Sequence, residues 1–552
     1  MNEQLLYNQW LQQSLYSQDL QAISTNPQEI QDCFHQQLQF GTGGLRGKLG
    51  PGTNRINVHT IRLVAEGLAR QIEQQGEEAK MRGVVIAYDT RHYSQDFAYE
   101  TAGVLAAHGI QSYVFEESRP TPELSFAVRY LAAFAGVVIT ASHNPKQYNG
   151  FKVYGEDGAQ LTPQLADDVM AHMQAVDSIF TISHLSRSQL QSSGLCVELL
   201  EKMDAAYLQA LSQLLLNQNV KKELAIVYTP LHGAGLVPTM RGLQSFGFTN
   251  VHLVQQQAIQ DGEFPTVIYP NPEEPDAFQL AIELGEQVDA QLLLATDPDA
   301  DRLGVAVLVD GAYKLLTGNQ LGALLLHYIL SSQTVPSNAA MIKTIVTSEF
   351  GTAVAQKHGI VTVNTLTGFK YIAEKIAEWE QTGEYEFIFG YEESYGYLKG
   401  DFVRDKDAVQ IALLTAEMAA YYAANGGQTL ADVLTVLYEE LGYYQEALVS
   451  LTYEGIKGQQ KIASIMTALR QQPPTQFANI AVRETEDYLK GSINGLPQAD
   501  VLKFLLEDDS WICVRPSGTE PKCKFYIGVK TESEFESEQK IAQLKLALQE
   551  WA

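Results

Sequence analysis

Short apolar runs that alternate with longer helical patterns constrain the fold of this chain more than any other feature of its sequence. Seven runs bounded by turn residues are predicted to be strands: 84–89, 112–115, 136–141, 223–228, 292–297, 342–346 and 387–392. Such alternation predicts an α/β fold in which helices cover mixed or parallel sheets. Because open sheets of this class bind ligands beyond the carboxyl ends of their strands, polar motifs that follow these runs are candidate site residues.

The chain has 552 residues, which is too many for one hydrophobic core, because domains usually span about 100 to 200 residues. Polar stretches near 185–205, the turn at Asp310-Gly311 and the NGG sequence at 425–427 indicate where domains meet. We therefore expect four domains, at residues 1–205, 206–310, 311–440 and 441–552.

The chain is acidic, with 38 basic and 65 acidic residues and a formal net charge of -27. Such a surface repels a phosphate backbone, so nucleic acid is not an expected partner. A small phosphorylated ligand would need Arg and Lys to gather locally, which makes any basic cluster in this chain informative.

Neither export nor membrane insertion is expected. The N-terminus lacks the basic segment and apolar run of a secretory signal, and no apolar stretch approaches the roughly 20 residues of a membrane span. The four cysteines show no C-x-x-C spacing, so neither a disulfide scaffold nor a cysteine zinc site is indicated. We expect a cytoplasmic protein, monomeric or homodimeric, with no membrane partner.

The first candidate motif is TASHNPKQYNGFKVYG at 140–155, where a strand runs into a loop that contains Ser142. A serine hydroxyl needs a neighbouring cation or base to act as a nucleophile, and Lys152 is the candidate. The Asn149-Gly150 pair is expected to form the tight turn that folds Lys152 back. His143 is not expected to pair with Ser142, because neighbours on an extended chain point to opposite sides.

The second motif, LLLATDPDADRLG at 292–304, is the most specific in the chain. Asp297, Asp299 and Asp301 occupy alternate positions, which on an extended segment would project from one side. Three convergent carboxylates repel one another unless a hard cation such as Mg²⁺ binds them. An EF-hand calcium loop is not indicated, because Arg302 stands where that loop requires glycine. The alternative is a solvated acidic turn.

The third motif is FGYEESYGYLKGDFVRDKDA at 389–408. Glu392 and Ser394, spaced by two at a strand end, offer an acceptor and a donor that suit sugar hydroxyls. Arg404 and Lys406 alternate with acidic residues, a pattern that a solvated charged loop also shows. Upstream, the TLTGFKYI sequence at 365–372 adds Lys370 beside a glycine turn.

The fourth motif, CVRPSGTEPKCKFY at 513–526, places a Pro/Gly loop between two strand-like segments. A loop of this kind offers backbone N–H groups, hydroxyls and a guanidinium to a phosphate, although a plain hairpin has the same pattern. Its candidate phosphate-binding residues are Arg515, Ser517, Gly518, Thr519 and Lys522. A weaker glycine-rich motif, GTGGLRG at 41–47, contains Arg46 as a further candidate phosphate contact.

In these motifs and in their order the sequence resembles the α-D-phosphohexomutase superfamily, and the resemblance covers nearly the whole chain. It implies four α/β domains around a central cleft, of which the first three are similar mixed α/β sandwiches and the fourth is a smaller α+β domain. The implied activity interconverts glucose 1-phosphate and glucose 6-phosphate through a phosphoserine enzyme, with glucose 1,6-bisphosphate as intermediate and activator.

The resemblance also implies a role for each motif. Ser142 would carry the phosphoryl group and share Mg²⁺ with the three aspartates. Lys152 would transfer protons, and Arg46 would lie beside the serine. The residues that would bind substrate are Arg302, Lys370, Glu392, Ser394, Arg404 and Lys406, and the loop that begins at Arg515 would hold the phosphate that is not reacting.

Other activities fit the same motifs. Mannose and pentose phosphates are alternative substrates within the family. A phosphatase with Asp297 as nucleophile and a non-catalytic sugar-phosphate sensor are more distant alternatives. Some relatives carry a histidine shortly after the Glu-x-Ser pair, where this chain has Tyr395, Gly396 and Tyr397, so the identity of a second proton carrier stays open.

Overall fold

Among the residues that the structure describes, three sheets share one arrangement, a central strand with a parallel partner on each side. The computed structural model describes residues 3–38, 44–217, 219–453, 455–491, 493–517 and 522–549. The chain folds into two units. The first comprises Met1–Leu315, Ala373–Ala377 and Tyr395–Ala420, and the second comprises Leu316–Ile372, Glu378–Ser394 and Tyr421–Ala552.

The first sheet belongs to the first unit and has the strand order β1-β5-β4-β2-β3-β6. Its strands β2, β3, β4 and β6 are parallel, whereas β5 runs antiparallel to β4 and β1. Helix α6 packs on β2, β3 and β4, α4 packs against α6, and α7 packs against β2 and β4. The elements are α1 (Glu3–Leu11), α2 (Ser17–Ala22), α3 (Pro27–Phe34), β1 (Gly44–Lys48), α4 (Val58–Gln74), α5 (Glu77–Arg82), β2 (Val84–Tyr88), α6 (Ser94–Ala107), β3 (Ser112–Phe115), α7 (Thr121–Tyr130), β4 (Ala135–Ile139), β5 (Tyr148–Tyr154), α8 (Pro163–Gln174), α9 (Arg187–Ser193), β6 (Cys196–Leu199) and α10 (Glu201–Ser212).

The second sheet, with the order β11-β10-β9-β7-β8, has the same parallel centre followed by an antiparallel strand. Helix α13 packs on β7 and β9. The elements are β7 (Ile226–Thr229), α11 (Leu236–Ser245), β8 (Val251–Leu253), α12 (Gln255–Ala258), a 3-10 helix (Pro275–Phe278), α13 (Gln279–Val288), β9 (Leu292–Thr296), β10 (Leu303–Val309) and β11 (Ala312–Leu316).

In the second unit, β12 pairs in parallel with both β13 and β14. Helix α14 contacts α15 and β14. The elements between residues 317 and 441, of which β15 and most of α17 belong to the first unit, are α14 (Gly318–Ser332), β12 (Ala339–Thr344), α15 (Glu349–Lys357), β13 (Val361–Thr365), α16 (Phe369–Thr382), β14 (Glu386–Glu392), β15 (Gly396–Leu398), α17 (Ala408–Ala424) and α18 (Leu430–Leu441).

The C-terminal part is a smaller α+β domain whose sheet is antiparallel, with the order β16-β21-β20-β19-β18-β17. Residues of α19 and α20 complete its apolar core. The elements are β16 (Tyr443–Thr452), α19 (Gly455–Gln471), β17 (Gln476–Phe477), β18 (Ile480–Asp487), β19 (Leu502–Leu506), β20 (Trp511–Pro516), β21 (Lys522–Thr531) and α20 (Glu534–Leu548).

The predicted fold class is confirmed: three similar mixed α/β sandwiches are followed by a smaller α+β domain. All seven predicted strands are present, as β2, β3, β4, β7, β9, β12 and β14. None of the helices in the described part of the chain combines the length and apolar composition that a bilayer crossing requires.

Gly150 is a tightly packed position of the first sheet beside the candidate serine loop. It pairs with Arg46 of β1, and its carbonyl accepts a hydrogen bond from the Thr140 amide at 3.2 Å. A Cβ at this position would lie 2.6 Å from the carbonyl oxygens of both Leu45 and Thr140. Only glycine fits this position without backbone movement.

We therefore expect Gly150→Ala to lower the free energy of unfolding by about 1 to 3 kcal/mol, the usual cost of overpacking. Denaturant unfolding measures the loss. Gly426→Ala is the matched control, because a Cβ there would meet only side-chain atoms at 3.5 Å or more. Equal stability of the two variants would contradict this account of Gly150.

Candidate active site

Ser142 lies in the loop that follows β4 and is almost completely buried. Its hydroxyl donates a hydrogen bond to Asp297 Oδ2 at 2.6 Å, and its Oγ lies 3.1 Å from Nδ1 of His143. The prediction that His143 points away from Ser142 was therefore wrong. It assumed an extended backbone, whereas Ser142 has a φ of 51°, and this left-handed conformation brings the two side chains together.

The local turn that brings Lys152 back differs from the prediction. Asn149-Gly150 does not form the turn but lies within β5, which pairs antiparallel with β4 and places Lys152 opposite Val138. The chain reverses between the two strands, in the loop at 140–147. The predicted proximity of Lys152 to the serine motif arises from strand pairing.

The three aspartates converge, but on a tight turn and not on an extended segment. The turn follows β9, and Ala300 has a φ of 47°. Asp297 Oδ1 accepts hydrogen bonds from the amides of Asp301 at 3.1 Å and Arg302 at 3.0 Å. One oxygen from each of the three carboxyls lies within 4.8 Å of the others. The alternative of a solvated turn is excluded, because all three side chains are buried.

Two lysines face this carboxylate cluster. Lys152 Nζ lies 2.9 Å from Asp299 Oδ2 and 3.4 Å from Asp301 Oδ2. Lys406 Nζ lies 3.1 Å from the same oxygen of Asp301 and 3.1 Å from Asp405 Oδ1. Both lysines therefore belong to the site, and Asp301 shares its charge with each of them.

The electrostatics within the cluster are uneven. Burial, together with the charges of Asp299 and Asp301, raises the pKa of Asp297 well above its usual range. Burial alone would also raise the pKa of Asp301, but the charges of Lys406 and Lys152 lower it below its usual range. The two lysines thus stabilise the charged form of Asp301, whereas burial and the neighbouring carboxylates favour the neutral form of Asp297.

His143 is held in its neutral form. Desolvation lowers its pKa well below the usual range, and the nearby charges of Arg302 and Arg46 lower it further. A neutral imidazole beside the Ser142 hydroxyl can donate or accept one hydrogen bond, depending on its tautomer.

The donor set fits a divalent cation. Asp299 Oδ1 and Asp301 Oδ1 are buried and accept no hydrogen bond from the described residues. Buried carboxylate oxygens normally have such partners, so these two atoms are free to bind a metal ion. Carboxylate and hydroxyl oxygens are the ligands that hard cations prefer, and Ser142 Oγ contacts the third aspartate.

The predicted arginines occupy different positions around this cluster. Arg46, on β1, donates to Asn144 Oδ1 in the serine loop at 3.1 Å. Arg302 forms an ion pair with Glu273. Arg404 is buried, and its amide donates to Ser125 Oγ at 2.8 Å.

The second unit carries the other predicted binding residues. Glu392 is the last residue of β14 and accepts a hydrogen bond from the Gly368 amide at 2.9 Å. Ser394 follows it in a partly exposed turn. Lys370 lies beside the same glycine, with its ammonium 5.3 Å from the centre of the Tyr371 ring. The TLTGFKYI and Glu-x-Ser motifs therefore meet, as their shared strand-end positions suggest.

The predicted phosphate loop is a hairpin between β20 and β21. Arg515 pairs with Lys524 across the two strands, and the Ser517 amide donates to the Lys522 carbonyl at 2.8 Å. Gly518 and Thr519 lie outside the described residues. The two predicted strand-like segments are confirmed as β20 and β21, and the phosphate-binding role of the loop between them stays a prediction.

Sequence reasoning missed three residues of this site. Thr121, at the start of α7, donates from its hydroxyl to Asp299 Oδ2 at 2.9 Å, and no pattern in the sequence marks it. Asp89 and Arg91 contact the serine loop. Their position at and just beyond the carboxyl end of the predicted strand at 84–89 was the signal that would have identified them.

Comparisons with known proteins find relatives over nearly the whole chain. Models of the phosphoglucomutase/phosphomannomutase family match four successive parts of the chain: alpha/beta/alpha domain I at 37–179, domain II at 205–309, domain III at 317–441 and the C-terminal domain at 462–542. A phosphoglucomutase of Staphylococcus haemolyticus is 39% identical over 512 residues, which cover 91% of this chain and 92% of that protein. One of Staphylococcus epidermidis is 40% identical over 516 residues, which cover 92% and 93%.

Solved structures with low sequence identity share the fold. The crystal structure of pp63/parafusin, a phosphoglucomutase from Paramecium, superimposes with a TM-score of 0.69 at 18% identity, over 94% of this chain and 95% of that one. At this identity the likeness extends to the fold alone.

We expect the aspartate cluster to bind a divalent cation and Asp299→Asn to weaken that binding by at least about a hundredfold, because residues that only orient metal ligands already contribute about 10- to 100-fold. Calorimetric titration with Mg²⁺ and Mn²⁺ measures the affinity. Asp310→Asn, at an exposed turn, should bind as the wild type does. Unchanged affinity in Asp299→Asn would show that the cluster is not the metal site.

Proposed function

The chain belongs to the phosphoglucomutase/phosphomannomutase family, and from this premise we propose that it interconverts glucose 1-phosphate and glucose 6-phosphate. Relatives named phosphoglucomutase that align with more than nine-tenths of the chain support this substrate. The observation that carries the proposal is the 2.6 Å hydrogen bond from Ser142 Oγ to Asp297. It places a buried nucleophile against a carboxylate cluster suited to a cation.

The proposed reaction has two half-reactions. In the first, the free hydroxyl of the substrate attacks the phosphorus of phosphorylated Ser142, the bond from phosphorus to Oγ breaks, and a bisphosphate forms. In the second, Ser142 Oγ attacks the other phosphate of that bisphosphate, and the isomeric monophosphate leaves. The serine is phosphorylated again at the end, so phosphate is conserved over the cycle.

A proton must move from the substrate hydroxyl to the departing serine oxygen, and we assign this transfer to Lys152. Burial lowers the pKa of Lys152, but the charges of Asp299 and Asp301 outweigh that effect and raise it. The residue therefore starts as an ammonium, which gives a proton to Oγ and takes one from the substrate hydroxyl. Net proton transfer is then complete without bulk water.

Mg²⁺ is the cation that we propose for the site, held by the three aspartates and an oxygen of phosphorylated Ser142. When bound, it neutralises charge on the phosphoryl group as a Lewis acid. The residues do the remaining work through positioning and charge, which supply most of the catalysis in phosphoryl transfer. Arg46, beside the serine loop, adds positive charge there.

The remaining motif residues are assigned to binding. Glu392 and Ser394 would bind sugar hydroxyls. The cationic side chains proposed for the substrate's phosphates are Arg302, Lys370, Arg404 and Lys406. The phosphate that is not reacting is assigned to Arg515, Ser517, Gly518, Thr519 and Lys522. On this proposal the segments 1–205, 206–310, 311–440 and 441–552 carry the phosphoserine, the metal, the sugar and the phosphate, respectively.

The phosphatase alternative is weakened by the contacts of Asp297. Its Oδ2 accepts a hydrogen bond from Ser142, and its Oδ1 accepts two from backbone amides. These contacts fix the Asp297 carboxyl in place, which suits a metal ligand better than a nucleophile that must approach a phosphorus atom. Mannose and pentose phosphates stay alternative substrates within the family.

We expect glucose 1,6-bisphosphate to phosphorylate Ser142, and Ser142→Ala to lose activity by about 10⁴-fold or more, the scale set by removal of a nucleophile. Peptide mapping by mass spectrometry locates the phosphate. Ser118→Ala is the matched control, because that buried hydroxyl has no hydrogen-bond partner among the described residues.

Steady-state rates with glucose, mannose and ribose 1-phosphates, each with its bisphosphate, should rank glucose first. Retained activity in Ser142→Ala with phosphate on Asp297 would support the phosphatase. A preference for mannose or ribose would change the substrate and leave the phosphoserine cycle intact.

Arg515→Ala should reduce kcat/KM about ten- to a hundredfold in both directions, because it removes a charge-assisted contact worth about 1.5 to 3 kcal/mol. A single loop that holds the phosphate at C6 in one half-reaction and at C1 in the other would affect both directions alike. Ser142 should still accept phosphate from the bisphosphate. Arg483→Ala, an exposed arginine paired with Asp509, is the control, and a normal kcat/KM in Arg515→Ala would reduce the loop to a plain hairpin.

A further inference from the structure

We infer that Arg91 is a positioning residue for the phosphoryl-carrying serine and acts on it through the backbone at 140–148, which comprises the loop at 140–147 and the first residue of β5. The inference rests on the proposed function for its consequence in catalysis. Its geometric basis is independent of that function.

Arg91 donates to several carbonyls of that one loop. Its Nη1 donates to the carbonyls of Pro145 at 2.9 Å and Tyr148 at 3.1 Å. Its Nη2 donates to the carbonyls of Ser142 and Asn144. The guanidinium is completely buried. Its hydrogen bonds therefore serve main-chain carbonyls that water does not reach and that need a donor inside the protein.

The loop requires this support because Ser142 is strained. A non-glycine residue at a φ of 51° costs on the order of 1 to 3 kcal/mol, and such a conformation persists only when its surroundings enforce it. An extended Ser142 would not direct its hydroxyl and the His143 ring toward each other. Arg91 donates a hydrogen bond to the carbonyl of Ser142 itself.

Asp89 holds the other side of the same residue through Thr140. It pairs with Arg91 at 3.2 Å and accepts a hydrogen bond from the Thr140 hydroxyl at 2.6 Å. Thr140 Oγ1 accepts in turn from the Ser142 amide at 2.8 Å. The amide and the carbonyl of Ser142 are therefore both tied to the Asp89–Arg91 pair, which follows the neighbouring strand β2.

The guanidinium itself is held in place by its surroundings. Its carbon lies 4.9 Å from the centre of the Phe264 ring, and the amide of Arg91 donates to Asp89 Oδ1 at 2.9 Å. Its planar fork serves several acceptors at once, which a lysine ammonium does not reproduce. Within the described residues the hydrogen bonds of this guanidinium go to main-chain carbonyls, so its role is to position the serine and not to react.

The test compares Arg91→Ala and Arg91→Lys with a matched control, Arg55→Ala. Arg55 is also a buried arginine, paired with Glu29 and Asp32 outside the serine loop. The measurements are kcat and KM, the rate of Ser142 phosphorylation by glucose 1,6-bisphosphate, and hydrogen exchange of the peptide that contains residues 140–148.

We expect Arg91→Ala to lower kcat and the phosphorylation rate about a hundredfold, the effect of a misplacement near 1 Å, with KM changed less than about threefold. Exchange should rise in 140–148. Arg91→Lys should lower kcat and the phosphorylation rate less than Arg91→Ala does. Arg55→Ala should lose a comparable amount of stability but keep normal kcat and normal hydrogen exchange in 140–148.

Wild-type kcat and loop exchange in folded Arg91→Ala would overturn the inference, as would equal losses in Arg55→Ala. If Arg91→Ala does not fold, Arg91→Lys provides the test. Normal kcat and normal hydrogen exchange of residues 140–148 in Arg91→Lys would show that the planar guanidinium is dispensable. Failure of the proposed function appears separately, as absence of phosphate on wild-type Ser142, and the exchange comparison still tests Arg91 in that case.

Discussion

The gathering of three carboxylates in one buried turn is the constraint on which the rest of the first unit depends. Asp297, Asp299 and Asp301 are almost completely excluded from solvent, and burying unpaired charges costs several kcal/mol each. Lys152 and Lys406 offset part of that cost. Burial and the charges of Asp299 and Asp301 raise the pKa of Asp297, the residue that contacts the serine. A divalent cation held by the cluster would offset its remaining negative charge.

The backbone of the first sheet positions Ser142 beside this cluster. Strands β4 and β5 fix both ends of the loop at 140–147, and Lys152 enters the cluster from β5. Asp89 and Arg91 then hold the left-handed conformation of Ser142. The pairing of β4 with β5 brings Ser142 and Lys152 close to the aspartate cluster. Buried polar contacts then set the direction of the Ser142 hydroxyl.

The strands, the fold class and the convergence of the aspartates could be predicted from the sequence, because apolar periodicity and a regular Asp spacing are local signals. The backbone conformation of the loops that follow the strands could not be predicted. Extended geometry was assumed at the aspartates and at His143, where left-handed residues make turns. Contacts such as Thr121 with Asp299 join distant parts of the chain, and without knowledge of strand order no sequence pattern indicates them.

The central claim is that the aspartate cluster and the phosphate on Ser142 share one cation. Pulsed electron paramagnetic resonance of the enzyme loaded with Mn²⁺ tests it most directly, because a directly coordinated phosphate oxygen produces hyperfine coupling from ³¹P. We expect this coupling in the phosphorylated enzyme without free sugar phosphate, and its loss when the serine is dephosphorylated while Mn²⁺ stays bound. Bound Mn²⁺ without ³¹P coupling, in enzyme that carries phosphate on Ser142, would contradict the account.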